Sequence, residues 1–176
     1  MACRNYPRIF IQIFNSMSRE KVKFIVDVML GRTARWLRLF GYDTIYKVDA
    51  DDDWILFNAL VQKRTIITRD TKLAYRAGSV AYLVRANSLW EQLREITSQF
   101  SIEPKIVLIR CPVCNGKIDE VAKSCVLGKV PEYTYLTHDK FWRCENCGKI
   151  YWRGSHLSLA DDDIEKHLLE SDTDEN

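Results

Sequence analysis

No stretch of the 176-residue chain approaches the roughly 20 consecutive apolar residues that a membrane-spanning helix needs, so no integral helical membrane protein is expected. The opening "MACRNYPRIFIQIFNSM" has a short apolar patch broken by Gln12 and lacks a small-residue cleavage site, which argues against a signal peptide. Residues 1–20 are expected to form an extension, with Met17 an alternative start, because the patterned sequence begins at Lys21. There is no internal repeat, and no low-complexity tract outside an acidic tail. Nor does a Gly-x-Gly-x-x-Gly follow the first strand candidate, which counts against a dinucleotide-binding domain. A large excess of one charge is also missing, the net charge being +2.

That balance hides an asymmetry. Residues 160–176 hold eight acids and one lysine, leaving 25 basic and 16 acidic residues elsewhere. A basic body with an acidic tail suits a polyanionic ligand, with the tail either competing for that surface or keeping the chain soluble. Six cysteines without a secretion signal favour metal over disulfides and a cytoplasmic location.

From residue 21 to 100, short apolar runs alternate with helical patterns. "VKFIV" (22–26), "DTIYKV" (43–48), "TIIT" (65–68) and "VAYLV" (80–84) read as strands. Between and after them, "LGRTARWLRLF", "DDWILFNALVQKR", "DTKLAYRA" and "SLWEQLREITSQF" read as helices. The first helix places Leu30, Ala34 and Leu37 on one face, with Gly41 following as its stop. The last carries a capping box, Ser88 to Glu91. Four strand–helix alternations predict an α/β fold with a mostly parallel sheet covered on its faces by helices. The domain expected over 21–100 is followed by a linker at 101–110, a cysteine-rich module at 111–158 and the acidic tail at 159–176.

In a parallel sheet the strand C-termini share one edge, where open α/β sheets bind their ligands. Asp27 ends the first strand, the acids of "DADDDW" (49–54) follow the second, and Asp70 follows the third. Carboxylates gathered there need a cation or shared protons, and hard oxygen ligands suit Mg²⁺ or Mn²⁺. Such a site supports phosphodiester hydrolysis. Arg32, Arg35 and Arg38, stepping along the first helix, are placed to grip a nucleic-acid backbone, and Arg69 adds to them. Taken singly, each acid has a plainer role: Asp51 or Asp52 as the cap of the second helix, Asp70 as the cap of the third.

"RCPVCNGKI" (110–118) and "RCENCGKIY" (143–151) are two Cys-x-x-Cys knuckles. Cys111, Cys114, Cys144 and Cys147 together predict a closed structural zinc site that holds a small module together. Cys3 and Cys125 read as bystanders, Cys125 as a small buried residue. Phe141, Trp142, Tyr151 and Trp152 interleave with basic residues, and either stack on unpaired bases or cover the module's small core. His138 and His156 are spare ligands at most, with His156 a candidate phosphate contact.

"FIVDVMLGRTARWLRLFGYDT", "IITRD", "RCPVCNGKI" and "FWRCENCGKIYWRGSH" together resemble the Mut-seven C-terminal RNase family over about residues 22–158. The resemblance implies a PIN-like α/β/α sandwich fused to a zinc ribbon, divalent metal at clustered acids, and RNA as substrate. It implies metal-holding roles for Asp27, Asp70 and an acid within Asp51–Asp53, with Asp52 preferred and Asp53 second. The further acid that PIN-like nucleases use has no obvious counterpart, Glu91 and Glu95 being its nearest candidates. The expectation is therefore a metal-dependent ribonuclease. The alternative is a non-catalytic RNA-binding module associated with a ribonucleoprotein or the ribosome.

Overall fold

The strand and helix patterns fold into three layers in the computed structural model, which describes residues 22–169. Four parallel strands, β1 (Phe24–Val26), β2 (Thr44–Tyr46), β3 (Thr65–Thr68) and β4 (Ala81–Leu83), lie in the order β2-β1-β3-β4. Helices α1 (Gly31–Leu39), α2 (Asp52–Gln62), α3 (Thr71–Ala77) and α4 (Leu89–Phe100) connect and follow them. The alternating side chains of each strand enter two cores. Phe24, Val26 and Ile67 pack with α1 and α4, through Ala34, Leu37, Leu93 and Ile96. Ile25 and Ile66 pack with α2 and α3, through Ile55, Ala59 and Leu73. Both faces are covered, which is why these strands read as unbroken apolar runs. Each fully buried side chain here contributes about 1.5–3 kcal/mol.

The helix ends follow their local chemistry. Asp51 accepts a 2.7 Å hydrogen bond from the Trp54 amide at the start of α2, and Ser88 and Glu91 cap α4 reciprocally. Gly41 takes φ +83° after α1, and a Cβ there would stand 2.5 Å from Val107 Cγ2. The turn thus needs glycine both for its backbone and for the close approach of the next segment.

That segment is residues 101–110, the expected linker, and it is not a free tether. Ile102 and Ile106 are buried in the α1/α4 core, and the Val107 amide donates to Leu39 O at 2.9 Å. Beyond it, β5 (Ile118–Val121), β6 (Phe141–Cys144) and β7 (Ile150–Tyr151) form an antiparallel ribbon with a short helix, α5 (Glu132–Thr137), inserted between β5 and β6.

Two charged residues fasten the ribbon to the sheet domain. Arg38 is only 5% exposed, and its guanidinium donates to Thr44 O at 2.8 Å, Pro112 O at 3.2 Å and Val113 O at 3.0 Å. Asp43 pairs with both guanidinium nitrogens of Arg64 at 2.9 and 3.1 Å, and receives the Asn115 side-chain amide at 2.7 Å. Asn115 sits in the left-handed region, φ 65°, and its carbonyl oxygen also accepts from the Thr44 amide at 3.0 Å.

The acidic segment expected to be solvated begins as α6 (Ser155–Ile164) and continues in a π-helical turn, Glu165–Leu169. Ile164 is buried in the α1/α4 core, His167 stacks on Trp90, and Arg94 donates to His167 O at 2.8 Å. Residues 159–169 therefore dock, because Ile164 and Leu168 supply an apolar face among the acids. The expected extension at 1–20 and the end of the tail lie outside the described residues. No helix among the described residues is long and apolar enough to cross a membrane.

Candidate active site and metal centre

The strand order β2-β1-β3-β4 diverges between β1 and β3, the position where doubly wound sheets open a crevice at their carboxyl edge. Asp27 and Asp70 follow these two strands. Asp27 is 5% exposed, and its Oδ2 accepts a 2.6 Å hydrogen bond from the Thr68 hydroxyl. The same hydroxyl oxygen accepts from the Asp70 amide at 2.9 Å. One side chain therefore stitches both acid-bearing loops into a single rim. Thr68 was not singled out from the sequence; its signal is a polar residue closing an otherwise apolar strand in "IITRD".

Each acid has a free side. Asp70 caps α3 through Oδ1, which accepts from the Lys72 and Leu73 amides at 2.6 and 3.2 Å. Among the described residues, Oδ1 of Asp27 and Oδ2 of Asp70 take no hydrogen bond. Asp27 and Asp70 thus each keep one oxygen open to a cation, and Mg²⁺ is usually held by one or two carboxylates plus water and phosphate.

The middle acids are held elsewhere. Asp52 pairs with Arg76 at 3.1 Å, Asp53 pairs with the other nitrogen of the same guanidinium, and Asp51 caps α2. The expected three-acid cluster is not drawn together: among the described residues, four cysteines form the one group of three or more ligands close enough to hold an ion. Glu95 is structural, its carboxylate accepting from the Arg85 and Ala86 amides and from the Tyr82 hydroxyl. Glu91 belongs to the capping box.

The arginines divide. Arg32 and Arg69 line a cleft of about 540 Å³ at this edge, together with Tyr46, Asn87 and Gln92. Arg69 is oriented by Asn87 Oδ1. Arg35 is exposed and lines a different cavity, farther along α1. Arg38 is almost wholly withdrawn from solvent and binds the ribbon's backbone, so it is not available to a nucleic acid.

The ribbon brings Cys111, Cys114, Cys144 and Cys147 together with all four sulfurs within 4.8 Å of one another. Cys111 and Cys147 Sγ are 3.7 Å apart, Cys114 and Cys144 Sγ 3.4 Å. A Zn²⁺ tetrahedron with sulfur at about 2.3 Å has edges of about 3.8 Å, so the cage fits such an ion. A Cβ on Gly116 would lie 2.9 Å from Cys144 Sγ, so the knuckle closes only with glycine there. Burial acts to raise the Cys111 thiol, but the Tyr151 hydroxyl at 3.0 Å and the Cys114 and Val113 amides bring it down to about 7. Burial pushes Cys114 up to about 12.

Of the four aromatics considered for stacking, Phe141 is fully buried, while Trp142 and Tyr151 pack against the cysteine cluster. Trp152 lines the second cavity. His138 holds Thr134 O and Thr137 Oγ1 within 3.2 and 2.9 Å of Nδ1 and is not a metal ligand. Cys125 is half-buried rather than buried. The side chain of His156 and all of Cys3 lie outside the described residues.

The structure thus joins a parallel α/β sheet with a stitched acidic rim to a four-cysteine ribbon that can hold a metal. The chain belongs to the Mut7-C RNAse domain family, whose model matches residues 22–164. Membership assigns it a ribonuclease-type function, with RNA as the substrate of the family's domain. Neither a curated protein nor a solved structure matches the chain.

Proposed function

We propose that the protein is a metal-dependent ribonuclease that hydrolyses RNA phosphodiester bonds at the rim formed by Asp27 and Asp70. The observation that carries this reading is the Thr68 hydroxyl, which joins a buried Asp27 to the loop of Asp70 at the sheet's crevice. Asp27 and Asp70 would hold Mg²⁺ or Mn²⁺, which when bound lowers the pKa of water and offsets phosphate charge. Thr68 keeps Asp27 oriented with one oxygen outward. Arg32 and Arg69, in the adjoining cleft, offer guanidinium groups to the phosphates on either side of the scissile bond. Asp52 or Asp53 joins the site only by leaving Arg76, an exchange that a bound RNA phosphate could prompt by taking that guanidinium. Zinc is the ion we assign to the four cysteines, in a structural role.

One observation favours a second reading, an RNA-binding module of the same fold without catalysis: the middle acids are engaged by Arg76 and leave the rim with two carboxylates. A single experiment separates the two. Labelled single-stranded RNA is incubated with the protein and Mn²⁺ or Mg²⁺, with and without chelator, beside Asp27→Asn. Metal-dependent cutting that falls at least a hundredfold in the variant, with RNA binding retained, supports the nuclease. Equal inertness of both proteins, with RNA still bound, supports the module.

A further inference from the structure

A second cavity lies away from the acidic rim, where α1, α5, the ribbon and the start of α6 meet. It has a volume of about 780 Å³, within the range of small-molecule sites. Its walls include Tyr133, Trp152 and Leu157, and its polar groups include Arg35 and His138. We propose that this cavity is a nucleobase pocket, which holds one unpaired base of a single-stranded RNA whose backbone also reaches the rim. The inference rests on RNA being the substrate and adds a second, non-catalytic contact to it.

Four features specify the occupant. Aromatic side chains on the wall offer flat faces, and base–aromatic stacking is the common grip on unpaired bases. Among the described residues no carboxylate lines the cavity, so none of them repels a nucleotide's phosphate there. Arg35 is exposed and has no hydrogen-bond or ion-pair partner among the described residues, which leaves its guanidinium for that phosphate. The hydrogen-bonding neighbours of His138 sit on Nδ1, and Nε2 is left for the edge of a base.

Helix α1 links the cavity to the cleft beside the rim. Arg32 lines the cleft at the sheet edge and Arg35 lines the cavity, one turn apart on α1 or about 4.5 Å along its axis. A strand laid along α1 meets both. Tyr133, at 77% exposure, can be truncated without disturbing a core.

The test uses the full zinc-loaded chain carrying Asp27→Asn, so that RNA stays intact, and a ten-nucleotide single-stranded RNA in which one abasic site is walked along the sequence. Expected is one register at which loss of the base weakens binding about tenfold, and disappearance of that penalty in Tyr133→Ala with zinc content unchanged. Arg35→Ala should weaken intact and abasic RNA alike. If RNA binds but no register is sensitive, or the penalty persists in Tyr133→Ala, the pocket is refuted and the ribonuclease reading stands. If a sensitive register appears while the unsubstituted rim never cuts RNA, the pocket stands and the ribonuclease reading falls. Absence of all RNA binding refutes both.

Discussion

Single side chains decide most of what the rim can do, and Thr68 is the sharpest case. Its hydroxyl donates to Asp27 and accepts from the Asp70 amide, so Thr68→Val keeps the shape and deletes both bonds. A buried carboxylate and an amide then lose their partner, which should cost about 1–3 kcal/mol in a urea unfolding titration. RNA cleavage should fall more than tenfold, because Asp27 is no longer held in one orientation. A variant that unfolds at the wild-type midpoint and cuts at the wild-type rate would show that the stitch has no role. The position of Asp27 was legible from "FIVD", since an acid after an apolar strand of a parallel sheet has one place to go. The fate of Arg38 was not. Arginines three residues apart rotate by about 60° per step, so the third has turned about 120° from the first, onto a face that only the ribbon's position defines. The pairing of Asp52 was equally hidden, because Arg76 lies 24 positions away and on another helix.

Among the elements, the junction between β2 and the ribbon depends on one carboxylate. Burial acts to raise Asp43, but hydrogen bonds from Arg64 and Asn115, with the charges of Arg64 and Arg110, outweigh it and hold Asp43 below the usual carboxylate range. A depressed folded-state value means that Asp43 contributes stability fully present above its unfolded pKa of about 3.9 and lost as pH falls through the lower folded value. Thermal melts across pH 2–7 should therefore show an acid-side decline that is shallower in Asp43→Asn. At neutral pH that variant should be less stable by about 2–3 kcal/mol, since Arg64 is left buried without its partner. An unchanged acid limb would remove Asp43 from the junction. The strands and helices themselves were readable from apolar periodicity, as β3 and the capped α4 illustrate. The docking of the ribbon was not, because Arg38 grips it through backbone carbonyls of Pro112 and Val113, which carry no side-chain signature, and Asn115 meets Asp43 from 72 positions away.

At the scale of the whole molecule, the last described α-helix, α6, packs back into the core of the first described strand. Ile164 enters the core that Phe24 opens, though it sits in a segment whose composition reads as a charged tail. Ile164→Ala should lower stability by about 2–5 kcal/mol in urea, the cost of a core truncation, whereas a residue in a solvated tail would change it by less than about 0.5 kcal/mol. Acidic composition concealed this docking, because two or three apolar residues on one face of α6 are enough to seat it while the other face stays charged. The arrangement also bears on how the protein is made. β1 and Ile164 stand about 140 residues apart in the chain, so the interior that both enter is completed only after the whole stretch between them has left the ribosome. Interrupted synthesis would release fragments with bare apolar surface, prone to clump or to need a chaperone's shelter.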